Sequence, residues 1–437
     1  MTAPTVVPVA RRVAVLALPA IVVLAAEPLY VLVDTAVVGH LGRTPLAALA
    51  LGGNVLSVAA WVGSFLAYGT TARSARRYGA GDRAGAVAEG VQASWLALTA
   101  GLLIAVGGQL LAGPLATALA GDNDAVADGA ARWLRIAVLG APGLLLATAG
   151  NGWLRGVQDT RRPMYYVLGA NLLSGVACPI LVYGVGLGLT GSAIANAGAQ
   201  TLVGTLFVRA LVVENVGLRP RFGILGSQLV LGRDLLVRGA GFQVCFVSAA
   251  AVAARFGPAA LGAHQIALQL WMFCALALDA VAIAAQALVG ASLGAGDVAF
   301  ARVLARRIAG FGLLSGVAFA AVVGALAGVL PKLFTSDPQV YRQAARVWPW
   351  FVGMQPLAGV VFALDGVLLG AGDVRFLRNV TLVATLGGFL PAIWLAYWFD
   401  IGLTGVWAGL TLLIVIRLVA LLVRIRSGRW AIAGATR

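Results

Sequence analysis

The chain has 437 residues, 61% of them hydrophobic and only 11% charged, at a mean hydropathy of +0.94. Soluble domains run at about 45–50% apolar and about 25% charged, so a soluble fold is excluded. The formal charge of +15 does not point to nucleic acid. The arginines sit mainly in short joints between apolar runs, where they set membrane topology.

In chain order, apolar runs of about 20 residues recur from end to end, each long enough to cross a core of about 30 Å. Breaks at Gly, Pro and charge clusters give twelve predicted spans. The first covers roughly 13–39 and follows Arg11 and Arg12. That pair resembles a signal-peptide start, but the stretch is too long and continues into a polytopic pattern, so it reads as an uncleaved first helix. It carries Glu27 and Asp34 without a Lys or Arg inside it. An acid at the bilayer centre costs about 2.5–3.5 kcal/mol and marks a proton or substrate path. The next five spans fall at roughly 46–72, 86–112, 128–150, 163–185 and 189–212. A polar joint over 213–232 then leads to spans at roughly 234–255, 260–291, 302–330, 340–369, 375–398 and 402–424.

The expected fold class is therefore an all-α polytopic membrane protein with twelve transmembrane helices. Placing both termini in the cytoplasm puts most arginines inside, among them Arg73, Arg76, Arg77, Arg161, Arg162, Arg306, Arg307, Arg417, Arg424 and Arg426. Few fall outside, such as Arg43, Arg132 and Arg255. The positive-inside rule selects this orientation. No span is expected to hold an arginine at mid-membrane depth.

The sequence is also a duplication. Gly79-Ala80-Gly81-Asp82 returns as Gly294-Ala295-Gly296-Asp297, 215 positions on. Gly152, Gly156, Asp159 and Arg161 return as Gly366, Gly370, Asp373 and Arg375, 214 positions on. An even number of spans per half gives both halves one orientation, hence two six-helix lobes in parallel repeat with a substrate path between them. The predicted organisation is an N-lobe over 1–212, a cytoplasmic linker over 213–232, and a C-lobe over 233–437 with a short basic tail.

The run Pro28-Leu29-Tyr30-Val31-Leu32-Val33-Asp34-Thr35-Ala36-Val37-Val38-Gly39-His40-Leu41-Gly42 resembles the first-helix signature of the multidrug and toxic compound extrusion (MATE) transporters. It looks most like their DNA-damage-inducible F (DinF) branch. Leu154-Arg155-Gly156-Val157-Gln158-Asp159-Thr160-Arg161, Leu278-Asp279 and Leu364-Asp365-Gly366 are similar to that branch's other landmarks. The resemblance implies an alternating-access exporter of amphipathic cations or other bulky xenobiotics, driven by a proton or sodium gradient. It implies that Asp34 is the coupling acid and that helix 1 bends at a proline, with Pro28 and Pro19 as hinge positions. Members with a second acid in helix 5 have an Asn-x-x-x-Asp pair there; this chain has Ser174 and Cys178 in those places. Glu27 is then the remaining N-lobe acid that can serve beside Asp34.

Glu27 and Asp34 are seven residues apart, near one face and about two turns distant. A carboxylate in a half-dry cavity takes a proton on one side and releases it on the other. Asp279 and Asp365 lie in spans without a compensating cation and are expected to face the cation pathway. Tyr30, Asn171, Ser174, Asn196, Gln200, Gln265 and Gln269 are candidates for lining it. Asp82, Arg155, Asp159, Arg161, Asp297, Asp373 and Arg375 fall in equivalent Gly- and Arg-rich loops and are expected to hold the cytoplasmic gate by turns and ion pairs. Cys178, Cys245 and Cys274 have no metal-ligand spacing. Nucleotide, metalloprotease and hydrolase motifs are lacking, so the expectation is a non-enzyme with no cofactor or metal.

The sequence reading is thus a proton-coupled exporter in the bacterial cytoplasmic membrane. Its partners are small amphipathic molecules and the lipid bilayer, it does not bind nucleic acid, and it functions as a monomer. A sodium-driven exporter of the same fold and a flippase for a lipid-linked precursor are the alternatives. The first would need Asp279 and Asp365 to converge; the second would line its cavity with arginine.

Overall fold

The computed structural model describes residues 9–436; residues 1–8 and Arg437, the outermost ends of the predicted lobes, lie outside that range. Among the described residues, twelve helices are long and apolar enough to cross a membrane. They are α1 Val9–Gly39, α2 Arg43–Gly79, α3 Arg83–Ala120, α4 Asp124–Gly156, α5 Arg161–Gly184 and α6 Leu189–Val213, then α7 Phe222–Arg255, α8 Pro258–Gly294, α9 Val298–Ala325, α10 Pro338–Gly370, α11 Val374–Trp398 and α12 Leu403–Ser427. The fold is all-α, as expected. Most helices outrun the predicted spans, because polar turns such as 73–79 continue the helix beyond the last apolar run.

One boundary needs correction. The polar joint expected over 213–232 is helical from Phe222 onward, within α7. Its glycines mask a helical pattern in which Ile224, Gln228 and Gly232 point inward at four-residue spacing. Residues 18–232 form one internally packed unit, and residues 233–436 form another together with residues 9–17. The first turns of α1 thus group with the later half of the chain, where the Arg12 guanidinium lies 5.9 Å from the centre of the Phe300 ring.

The repeated glycines are places where backbones nearly touch. A Cβ on Gly152 would lie 2.5 Å from the Ala67 carbonyl oxygen, and one on Gly366 would lie 2.2 Å from that of Ala282. Ala67 and Ala282 are themselves 215 positions apart, so α2 packs on α4 as α8 packs on α10. Small residues give membrane helices this close approach, where dispersion rather than the hydrophobic effect holds them together. Gly366→Ala should therefore cost about 1–3 kcal/mol through overpacking. A lowered thermal-unfolding midpoint of the purified protein in detergent would show it.

Each unit has an aromatic centre. In the first, Trp153 and Phe207 are fully buried, and Tyr166 meets Phe207 edge-on at 5.3 Å. In the second, Trp407 is buried between Phe351 and His264 at 5.7 and 5.9 Å. Opposite faces carry bare apolar stripes, such as Leu102, Val106 and Leu110 on α3. That spacing is one helix face turned to lipid, which solvates hydrocarbon as well as a protein core does.

Candidate functional site

Helix α1 runs unbroken through Pro19 and Pro28. Pro28 has no N–H, so the Leu24 carbonyl loses its helical donor. Just beyond it, the first unit encloses a cavity of ≈ 380 Å³ whose wall includes Glu27, Tyr30, Asp34, Trp133, Asn196 and Gln200. Asn54 and Ser57 of α2 also reach it. Both acids of the first helix therefore open on one chamber. Glu27 is the more accessible of the two, while Asp34 is only 5% exposed.

Three helices build the surroundings of Asp34. From α5, one turn apart, come Ser174 and Cys178; the Cys178 thiol donates to Asp34 Oδ1 at 3.2 Å. Ser174 donates to the Ala195 carbonyl at 3.0 Å and ties α5 to α6. Along α6, Ser192, Asn196 and Gln200 fall at four-residue intervals and so share a face. Trp133 Nε1 donates to Ser192 Oγ at 3.1 Å, which leaves the serine proton for Asp34, its hydrogen-bond neighbour. Close by, Tyr30 and Asn196 line the same cavity, with the Tyr30 hydroxyl and Asn196 Oδ1 both buried. The carboxylate has donors around it and, among the described residues, no ion pair with a cation.

The end of α1 is fastened separately. Tyr183, in the π-helical turn Ile180–Gly184 that ends α5, donates to the Val37 carbonyl. His40 Nδ1 contacts the Ala36 carbonyl at 2.7 Å. Asp34 thus lies between this clasp and Pro28.

Not every predicted residue gathers here. Asn171 is half-buried on α5 and does not line the cavity. Gln265 and Gln269 are exposed, one turn apart on α8, and Asp279 is half-buried on the same helix. Asp365 departs from expectation most clearly. It faces the cation pathway in the sequence reading, but its cations come from other helices: Arg238 of α7 donates to its Oδ2 at 2.7 Å and Arg417 of α12 donates to the same oxygen. Arg417 is not in a joint either: it lies ten residues inside the end of α12 and is 3% exposed. The placement of Arg417 in an interior joint is thus corrected. The cause is physical, since a buried guanidinium is tolerated when a carboxylate on another helix meets it.

The loop residues do make turns and ion pairs. Asp82 caps α3 by accepting from Gly85 N at 2.7 Å, and Asp297 caps α9 by accepting from Phe300 N at 2.8 Å. Asp373 is held by Arg424 at 2.7 Å, and Arg375 lies 3.9 Å from Asp234. Arg162 pairs with Asp159 at 3.0 Å, while Arg161 is exposed. Arg155 is buried.

Sequence reasoning missed two further clusters. Glu89 of α3, completely buried, receives Arg73 at 2.7 and 3.0 Å and Arg77 at 2.9 Å. Gln228 adds a bond at 3.0 Å. Asp234 of α7 holds Arg378 at 2.7 Å and Arg233 at 2.9 Å. An acid set among arginines in one helix end was the available signal.

Comparison with known proteins agrees with this fold. The MatE family model matches residues 19–180 and 236–394, once in each half. The chain is 33% identical to DNA damage-inducible protein F of Escherichia coli (strain K12), over 92% of this chain and 89% of that protein. It is 31% identical to Protein DETOXIFICATION 44, chloroplastic, of Arabidopsis thaliana, over 95% of this chain and 82% of that protein. The crystal structure of MATE in the bent conformation superposes with a TM-score of 0.88 at 23% identity, covering 96% of this chain and 95% of that one. The chain belongs to the MatE family of membrane transporters.

Proposed function

We propose that the protein is a secondary active antiporter that exports amphipathic or cationic small molecules in exchange for protons. The observation that carries this reading is Asp34, nearly buried on the wall of a cavity it shares with Glu27, with hydrogen-bond donors around it. Drug-sized ligands occupy pockets of about 300–1,000 Å³, and ≈ 380 Å³ is within that range. Tyr30 and Trp133 are among the lining residues, and aromatic rings attract a cation. The two acids supply its counter-charge.

In the cycle, a cationic substrate rests against anionic Asp34 while the cavity opens to the cytoplasm. Once the cavity opens outward, an external proton neutralises Asp34, the segment beyond Pro28 shifts, and the substrate loses its counter-ion and leaves. Glu27 assists, Pro19 is the secondary hinge, and Asn196 and Gln200 line the route. Asp82, Asp159, Asp297 and Asp373 brace the arginine-rich ends, which we place on the cytoplasmic side together with both termini. We place the protein in the bacterial cytoplasmic membrane as a functional monomer of two lobes.

Proton coupling is favoured over sodium because Asp365, one of the two acids that the sodium alternative would need, is already engaged by two guanidiniums. The flippase reading is disfavoured because, among the described residues, no arginine lines the cavity of Asp34. The test is dye efflux from proteoliposomes under an imposed pH gradient, with and without a sodium gradient. One proton exchanged for one monovalent cation moves no net charge, so each pH unit should support about a tenfold dye gradient. The membrane potential should not alter it. Efflux that follows sodium and ignores pH would overturn the coupling.

A further inference from the structure

The ion cluster of the second unit is unbalanced. Arg238 and Arg417 both bind Oδ2 of Asp365, so two guanidiniums face one carboxylate and a surplus positive charge remains. Both also stack on one ring, with Phe242 centred 5.4 Å from Arg238 and 4.8 Å from Arg417. A ring face offsets part of a cation's desolvation, but it is not a counter-ion. Arg417 is 3% exposed and the Arg238 side chain 14%. Bulk solvent therefore does little to screen the surplus.

The same place holds unused donors. Arg238 Nε, Arg417 Nε and the Thr381 hydroxyl are all buried without a partner. Thr381 and Thr385 are one turn apart on α11 and both approach Gly241, one turn past Arg238. A Cβ there would lie 3.5 Å from Thr381 Cγ2 and 3.7 Å from Thr385 Oγ1. Cys245, the next turn of α7, meets Thr385 Oγ1 at 3.3 Å. Asp365 Oδ1 is in the opposite condition, an acceptor with no donor.

We infer that Arg238, Arg417 and Thr381 form a binding site for one carboxylate group, distinct from the cavity at Asp34. A single negative charge cancels the surplus, whereas a phosphate dianion overshoots it. Planar guanidinium N–H groups match carboxylate geometry and form its stronger, charge-assisted hydrogen bonds. A water that enters with the carboxylate donates to Asp365 Oδ1. Arg238, the least buried of the three charged side chains, is on the entry side. The carboxylate has two possible sources: a free small anion, or the acid group of a transported zwitterion.

The experiment measures equilibrium binding to purified full-length protein without any gradient, so it stands apart from the proton-coupling reading. The probes are rhodamine B, which carries a carboxylate, and rhodamine B ethyl ester, which does not. Arg238→Gln leaves one arginine per aspartate, a balanced pair that keeps the fold, and thermal unfolding verifies this. Relative to wild type, the acid-to-ester affinity ratio should fall about tenfold in Arg238→Gln, the loss of one charge-assisted pair. Arg238→Lys should retain most of the ratio. Displacement of rhodamine B by sodium acetate, and not by sodium chloride, assigns a free carboxylate; an intact ratio difference without displacement assigns the substrate's own acid group. An unchanged ratio in Arg238→Gln overturns the site. Stronger displacement by inorganic phosphate than by acetate overturns the ligand class.

Discussion

Asp34→Asn is expected to reduce pH-driven dye efflux to the leak rate of protein-free liposomes while leaving the protein folded. The reasoning starts from what the substitution keeps. Asparagine has nearly the same shape, its Oδ1 still accepts from Cys178, and no cation loses a partner, because none pairs with Asp34. Stability should therefore change by less than about 1 kcal/mol. What disappears is the ability to alternate between neutral and anionic. A permanently neutral side chain gives a cationic substrate no counter-charge to gain or lose, so the driving ion is uncoupled from release. Glu27→Gln should retain partial efflux, because Glu27 opens more widely on the cavity and lacks the thiol donor. The measurement is initial efflux rate at a fixed pH gradient, with thermal unfolding as the folding control. Wild-type efflux from Asp34→Asn would remove Asp34 from the mechanism, whatever binds in the cavity.

Hydropathy made the twelve spans legible, because lipid leaves no alternative to a continuous helix. The 214–215 spacing made the duplication legible, and the structure gives it a cause in the matched backbone approaches at Gly152 and Gly366. Asp34 stood out because an acid among apolar residues is costly wherever it faces. The polar partners were less readable. Asp365 meets Arg238 and Arg417 across 127 and 52 residues, and no local pattern links positions so far apart. Arg417 looked like part of the basic end formed by Arg424, Arg426 and Arg429. The apolar residues around it looked the same in a span or at its margin. Ser192 and Trp133 escaped notice because one hydroxyl and one indole on apolar helices are ordinary packing until Asp34 is placed beside them.

Glu89 is the case where burial alone sets a large effect. Glu89→Ala is expected to destabilise the protein by about 3 kcal/mol, at the low end of the cost of breaking a buried ion pair. The carboxylate is fully buried and receives two arginines, whereas those arginines remain 17% and 21% exposed. Water can therefore recover part of their solvation once the acid is gone, which places the cost below that of a wholly enclosed pair. Gln228 also loses the side-chain acceptor that fixes it against α3. Asp82→Ala, in the same arginine-rich end, should cost about 1 kcal/mol, the usual value of a helix cap. Removing Arg77 alone should cost less than removing Glu89, because Arg73 still grips both carboxylate oxygens. The ordering, Glu89→Ala worst and the other two well behind, is checked by thermal unfolding in one detergent at one protein concentration. Equal losses for all three would mean that Glu89 acts as one more surface charge. Dye affinity should be unchanged in the surviving folded fraction, since Glu89 does not line the cavity of Asp34.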